Sequence, residues 1–508
     1  MQLTNLTPLV SGLTLLLATA SSAIGRPNVL FIMSDDHAAH AIGAYRGRLA
    51  ELDPTPNIDR LAAEGMLFEQ AFATNSICTP SRATLLTGQY SHVNGVRTLN
   101  GALPPSRQAL ANQMRRAGYE TAMVGKWHLK NEPAFDYYAV LPGQGSYFNP
   151  ILRVSGGVWP DHVERFSGYD SSHSSDVVTD LSLDWLKNRE SDKPFFLMHH
   201  FKAPHDNFEN AERYDFLYKD IDIPEPDSLW ATPNHGSKAT EGMGTSIGKR
   251  NQRRNMGHHM FVDESLGAEQ YKRTAYQRYL KKYLRTVRGV DDNIGRLLEF
   301  LVESGDLDNT VIVYTSDQGF MLGEHDYIDK RWMYEESMRI PLLVRYPPFV
   351  QAGERTRALA ANVDFAPTIL DIAGGDIPDE MQGRSLVSIL KGETPADWRK
   401  SVYYRYWMHM AHHDNPAHYG IRTERYKLIF FYGLPLDAEG AVDRTTEPGW
   451  ELYDLKEDPH ERRNVYAAPE YAPVARRLKS DLLEQKNILG DTDDRYPDLM
   501  RIRRQHWE

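Results

Sequence analysis

Three short runs in this 508-residue chain bring chemically competent side chains into tight spacing. The first is Ser34-Asp35-Asp36. The second is Thr315-Ser316-Asp317-Gln318-Gly319. The third is Cys78-Thr79-Pro80-Ser81-Arg82, which runs on to Thr87-Gly88 and holds the only cysteine of the chain. Asp35, Asp36 and Asp317 supply three carboxylates, and Gln318 adds an amide carbonyl. An all-oxygen donor set suits a hard divalent cation such as calcium or magnesium. Neither turn is enriched in the His and Cys that zinc prefers. A single aspartate after a strand commonly just caps a turn. Two matching turns at the ends of two apolar strands point instead to a shared ligand.

A lone cysteine makes no internal disulfide and no multi-thiolate metal site. It is either a small buried hydrophobe or a reactive group. Arg82 lies four residues on, one turn along if a helix starts at Cys78. A tyrosine-phosphatase-like loop would need Arg six residues after the cysteine; Thr84 stands there, so that chemistry fails. A Cys–His protease stays open, because several histidines are available, but it leaves the carboxylates without a purpose. A bound cation accounts for them and suits the polarisation of an anionic ester oxygen. Further cations follow other strand ends: Lys126-Trp127-His128, then His205 after Lys202-Ala203-Pro204, then Lys330 in Asp329-Lys330-Arg331-Trp332. In a chain of net charge −11, they read as a local anion pocket. The same acidic balance argues against nucleic acid as a partner.

These residues need a frame that gathers them. Pro27 to Met33 contains the unbroken apolar run Val29-Leu30-Phe31-Ile32-Met33, a strand buried on both faces. Val311 to Tyr314, Phe195 to Met198, Glu120 to Gly125 and Ile340 to Val344 read the same way. Helical patterns alternate with them over Arg107–Ala117 with Ser106 as N-cap, Ser174–Leu186, and the long Tyr-, Lys- and Arg-rich stretch Gln270–Glu303. The alternation predicts an α/β domain with a mostly parallel sheet. Ligands of such sheets bind beyond the carboxyl ends of the strands, where all the runs above terminate. Residues ~225–265 read as a long polar surface insertion. From Ser401 the texture changes to short antiparallel strands and a helix over Tyr471–Gln485. The expected division is a catalytic domain over 27–375 and a smaller C-terminal α+β subdomain over 400–508. The apolar run Leu9–Ala20, followed by Ser21-Ser22-Ala23, predicts a signal peptide over 1–23 and a periplasmic or secreted destination. That run is shorter than the roughly 18–20 residues a membrane span needs, so no stable membrane insertion is expected.

Cys78-Thr79-Pro80-Ser81-Arg82 with Thr87-Gly88 resembles the signature of the formylglycine-dependent type I sulfatases. Met33-Ser34-Asp35-Asp36, Gly125-Lys126-Trp127-His128 and Ser316-Asp317-Gln318-Gly319 are similar to the other blocks of that family, in its order, and the likeness covers nearly the whole mature chain. The resemblance implies an alkaline-phosphatase-like fold and one bound Ca2+. It implies that Cys78 is oxidised to Cα-formylglycine by a separate formylglycine-generating or anaerobic sulfatase-maturating enzyme. One oxygen of the hydrated aldehyde would attack sulfur, and the sulfated hemiacetal would then collapse to aldehyde and sulfate. By matched position, Asp35, Asp36, Asp317, Gln318 and residue 78 would ligate calcium. Lys126 and Arg82 would stabilise developing charge. His128 would act as base, His205 and Lys330 would hold sulfate, and His205 would protonate the leaving oxygen. Many relatives carry Asn where Gln318 stands; Gln offers the same carbonyl on a longer arm. The runs Gly319–His325 and Asp329–Ser337 resemble carbohydrate sulfatases, and Leu141–Phe148 resembles bacterial relatives including N-acetylglucosamine-6-sulfatases. Sulfated sugars are therefore the expected substrates, with His325 and Arg331 as expected sugar contacts. A phosphohydrolase of the same superfold and a glycan-binding pseudoenzyme with unconverted Cys78 are the alternatives.

Overall fold

The computed structural model describes residues 25–166, 171–189, 192–230, 236–250 and 254–507. The expected leader, 1–23, lies outside them. The apolar runs form a ten-stranded sheet. Its parallel centre consists of β1 (Asn28–Asp35), β2 (Glu120–Lys126), β3 (Tyr137–Leu141), β4 (Phe195–Pro204) and β5 (Thr310–Ser316), arranged β5-β1-β4-β2-β3. The sheet is more mixed than the sequence suggests. β6 (Leu342–Arg345) runs antiparallel to β5, and the strands at Ile151–Val154 and Val163–Arg165 extend the other edge antiparallel. The Ile340–Val344 run also splits: Arg339–Ile340 pairs with Ala71–Phe72 in a separate small sheet. Pro341 separates the two pieces, having no N–H to carry the ladder on.

β1 shows why its sequence is continuously apolar. Val29, Phe31 and Met33 belong to the hydrophobic cluster on one face, Leu30 and Ile32 to the cluster on the other. Every residue of the strand is buried. Each such side chain contributes roughly 1.5–3 kcal/mol. On the first face lie α2 (Cys78–Thr87), α3 (Ala109–Arg116) and α6 (Phe365–Ala373); on the second lie α1 (Pro56–Glu64), α4 (Ser174–Lys187) and α5 (Ala268–Ser304). The helix expected from Arg107 begins at Ala109, because Pro105–Arg107 forms a separate 3-10 turn. Along α5, Tyr271, Tyr276, Tyr279 and Tyr283 are buried as a row. Tyr283 Oη donates to Asp36 O at 2.8 Å and accepts from Ala38 N at 2.9 Å, and Tyr279 Oη donates to Met321 O at 3.0 Å. The helix thus clamps the loops that leave β1 and β5.

The C-terminal subdomain is a four-stranded antiparallel sheet, β7 (Ser401–Tyr406), β8 (His418–Thr423), β9 (Tyr426–Phe431) and β10 (Gly449–Asp454), covered by α7 (Ala472–Leu489) and α8 (Pro497–His506). β8 is a strand the sequence reading missed. His418 is wholly buried in it against Tyr404, Trp332 and Phe431. His409 is also fully buried. The 225–265 segment is not a surface insertion either. Leu229, Ala239, Ile247, Met256 and Met260 are buried. Ser237 and Thr240 bond the Glu451 carboxylate of β10, which ties the segment into the subdomain.

Candidate active site

Register does most of the assembly. β1 and β5 pair in parallel with Ser34 opposite Ser316, so the two Ser-Asp turns emerge side by side. β4 flanks β1 on the other side and ends at Pro204, delivering His205; β2 comes next and delivers Lys126. Four adjacent strands therefore present Asp317, Asp35 and Asp36, His205, and Lys126 along one edge. Gly125 is required there: it sits at φ +102°, and a Cβ would meet His200 O at 1.9 Å. Cys78 is the first residue of α2, so the helix directs its N-terminal N–H groups and positive dipole end at the same edge. Arg82 follows one turn later, 2% exposed.

The carboxylates are crowded. Asp35, Asp36 and Asp317 can place one oxygen each within 4.8 Å of the others, all buried. Cys78 Sγ stands 3.4 Å from Asp35 Oδ1, and Gln318 Nε2 is 2.5 Å from Asp36 Oδ1 and 3.6 Å from Sγ. Gln318 Oε1 is buried without a hydrogen-bond partner. Burial and the negative charge of Asp35 push the Asp317 carboxyl up to about 8, against the pull of Arg82. Three packed carboxylates with an orphaned carbonyl oxygen beside them fit a hard divalent cation.

Cations close round this group. Lys330 Nζ lies 2.5 Å from Asp36 Oδ2, Arg82 engages Asp317 Oδ2 through Nε at 3.0 Å and NH2 at 2.9 Å, and Lys126 Nζ pairs with Asp35. Burial alone would raise the Asp35 carboxyl, but Lys126, His205, Arg82 and Lys330 hold it well below the usual range. Burial likewise opposes the charge on Lys330, and Asp36 reverses it, keeping the ammonium well above its ordinary value. The thiol of Cys78 is driven strongly upward by burial and the Asp35 charge, so unmodified Cys78 is a neutral thiol here and not a nucleophilic thiolate. His128 is held neutral by burial and by the charges of Lys126 and Arg82; its Nδ1 is buried without a partner. His205 Nε2 faces Asp36 Oδ2 at 3.7 Å, and its Nδ1 meets Asp206 Oδ1 at 2.5 Å.

The structure thus brings together Asp35, Asp36, Cys78, Arg82, Lys126, His128, His205, Asp317, Gln318 and Lys330. Arg331 stands beside them, paired with Asp329, whose other oxygen lies 3.6 Å from His413 Nε2. His325 does not join them. Gly323 and His325 both adopt positive φ and turn the chain; the ring packs on Tyr334, and its charged neighbours are Glu336, Glu324 and Asp458. Lys249 pairs with Glu264 at 3.2 Å and Arg250 with Asp326 at 3.6 Å, while Arg253 lies outside the described residues. Other contributors went unrecognised in the sequence. Gln144 Oε1 accepts from Lys126 Nζ at 2.6 Å. Lys202 lies over the Tyr147 ring, and burial with the nearby Lys126 charge lowers it to about 8. Tyr404 Oη, on β7, donates to Arg331 O at 2.8 Å and accepts from Ser76 N at 3.2 Å, so the small subdomain braces both the cysteine loop and the Lys330 loop. Only Gln144 had a signal, the Gly-Gln-Gly turn.

A carboxylate-rich cation site, a ring of cations and a helix N-terminus at the carboxyl edge of an alkaline-phosphatase-like sheet define a hydrolase of anionic esters. The chain belongs to the sulfatase family and is a sulfuric ester hydrolase: the Sulfatase family model matches residues 27–375, and the model described as N-sulphoglucosamine sulphohydrolase, C-terminal, matches 323–488. It is 38% identical to an N-acetylglucosamine-6-O-sulfatase of Bacteroides thetaiotaomicron, across 92% of this chain and 88% of that one. The human N-acetylglucosamine-6-sulfatase is 30% identical across 75% of this chain and 67% of its own. A solved structure of a protein in complex with its substrate D-glucosamine-2-N,6-O-disulfate superposes with a TM-score of 0.82 at 38% identity, covering 93% of this chain and 99% of that one. The phosphonate monoester hydrolase of Agrobacterium radiobacter, 22% identical with a TM-score of 0.69 over 91% and 96% of the two chains, shares the fold.

Proposed function

We propose that this sulfatase removes sulfate from sulfated carbohydrates, with 6-O-sulfated N-acetylglucosamine as the first substrate to test. The likeness to N-acetylglucosamine-6-sulfatases over nearly the whole chain carries this reading. In the mature enzyme residue 78 would be the formylglycine made from Cys78 by a maturation enzyme, and it would supply the nucleophilic oxygen. Asp35, Asp36, Asp317, Gln318 and residue 78 would hold a calcium ion, which would supply positive charge at the sulfate. With a divalent charge on the three carboxylates, Lys126 and Lys330, which pair with Asp35 and Asp36, would face the anionic substrate. Arg82 and Lys126 then stabilise negative charge as it develops. His205, oriented by Asp206, would give a proton to the departing sugar oxygen, and the neutral His128 would accept one from residue 78 as sulfate is released. Arg331 contacts the sugar from the Asp329 side. His325 has no place in this scheme.

Export to the periplasm or exterior, after removal of residues 1–23, completes the reading. It is supported by the apolar run Leu9–Ala20. Among the described residues no helix is long and apolar enough to cross a membrane. The deciding experiment measures sulfate release from sulfated monosaccharides of defined position, beside a matching phosphate-ester panel. Release from N-acetylglucosamine-6-sulfate above the other isomers supports the assignment; preference for another position or for phosphate esters overturns it.

A further inference from the structure

A second cavity, of about 710 Å³, lies at the seam between the catalytic domain and the C-terminal subdomain. It shares no lining residue with the Cys78 cluster. Most charges on its wall are neutralised: Glu324 by Arg48 at 2.5 Å, Glu335 by Arg422 at 3.1 Å, Glu69 by Arg355 at 2.9 Å. Two are not. Glu336 is 9% exposed, and its Oε2 is buried with no donor; its other oxygen is 4.0 Å from His460 Nδ1. Arg339 Nε is buried with no acceptor, and its guanidinium lies 5.9 Å from the Tyr45 ring centroid. Both residues belong to one short stretch, the helical turn Glu335–Met338 and the strand Arg339–Ile340. Arg46, also on the cavity wall, forms no ion pair among the described residues.

An unmet buried carboxylate oxygen calls for a donor, and an unmet guanidinium calls for an anionic acceptor. A free inorganic anion such as sulfate answers only the second. A neutral sugar can meet both with hydroxyls but brings no negative charge to Arg339 and Arg46. A ligand with hydroxyls beside an anionic group answers both, and the volume falls in the range of small-ligand sites, with room for a disaccharide. We propose that this cavity is a second, non-catalytic binding site for an acidic sugar, with hydroxyls on Glu336 and its anionic group on Arg339 and Arg46. The preference for a sulfated sugar over other acidic sugars rests on the sulfatase reading; the cavity and its unmet groups do not.

Titration calorimetry of the full Cys78→Ala chain with a sulfated glucosamine–uronate disaccharide tests this. Two sites are expected. Arg339→Met or Glu336→Gln should weaken one of them by about tenfold or more, as expected for the loss of a charged hydrogen bond. Arg46→Ala, a milder change, should weaken the same site. In the Cys78 chain, Arg339→Met should leave sulfate release from a monosaccharide within about twofold of the parent. A single binding site in the Cys78→Ala chain overturns the proposal, as does a second site that all three variants leave intact. Inorganic sulfate or a neutral disaccharide filling that site as tightly as the sulfated sugar also overturns it. Failure of sulfate release with two intact binding sites would instead strike at the sulfatase reading alone.

Discussion

Ser316 lies opposite Ser34 on adjacent parallel strands, and the next residue, Asp317, donates its N–H to Ser34 O at 3.2 Å. That one pairing sets Asp35, Asp36 and Asp317 around a common point although some 280 residues of chain separate them.

The first prediction concerns residue 78. Cys78→Ala should lower turnover by about 10³-fold or more, the scale of losing a nucleophile, while far-UV circular dichroism and Tm stay near the parent values. Intact mass of the motif peptide should show thiol converted to aldehyde in active preparations. Full turnover by Cys78→Ala would remove residue 78 from the chemistry.

Leaving-group protonation should discriminate between substrates. His205→Ala is expected to lose about 10²–10⁴-fold on sugar sulfates, the usual worth of a general acid, and much less on an activated aryl sulfate, whose phenolate leaves unaided. Equal losses on both substrates would assign His205 to sulfate binding only.

Calcium should stabilise the native chain by mass action, about 2.7 kcal/mol at a hundredfold excess over Kd, read as a rise in Tm that a chelator reverses. Asp317→Asn removes the carboxylate that Arg82 bonds through Nε and NH2, leaving Asp35 at 3.6 Å as its remaining charge partner. It should abolish the calcium-dependent rise in Tm. A calcium response equal to that of the parent would exclude Asp317 as a ligand.

A site far from the chemistry offers a pH test. Asp176 is gripped by Arg213 at 2.7 and 2.8 Å and by Asn293 at 2.8 Å, joining α4 to α5. Burial opposes its charge, but the hydrogen bonds from Arg213, Ser171 and Asn293 hold the carboxyl down at about 2. A depressed carboxyl stabilises fully above its unfolded value, near 3.8, and the contribution is lost as pH falls from there through about 2. Asp176→Asn should therefore cost on the order of 2 kcal/mol at pH 7 and almost nothing near pH 2, measured by urea denaturation. A cost independent of pH would mean that packing, not charge, sets its worth.

Local pattern alone revealed much of the active site. Apolar runs ending in Ser-Asp marked β1 and β5 because a strand buried on both faces has no polar positions until it leaves the sheet. Cys78 and Arg82 were legible because helical spacing fixes which residues share a face. His325 was misread for the complementary reason. Its neighbours in sequence belong to the site, but two positive-φ residues turn its ring toward Glu324 and Glu336, and backbone turns of that kind leave little trace in residue type. Gln144, Tyr404 and Asp329 with His413 meet the site through contacts between elements far apart in the chain, which no local period encodes. The polar 225–265 segment read as surface because its hydrogen-bond partner, Glu451, lies some 200 residues away. The sequence by itself thus determined the donor types, their strand ends and the cysteine helix. Only the tertiary structure decided the register that makes one cation site of two turns, the bracing of the site by the small subdomain, and the separate cavity at their seam. Those depend on which surfaces bury against each other, a property of the whole chain.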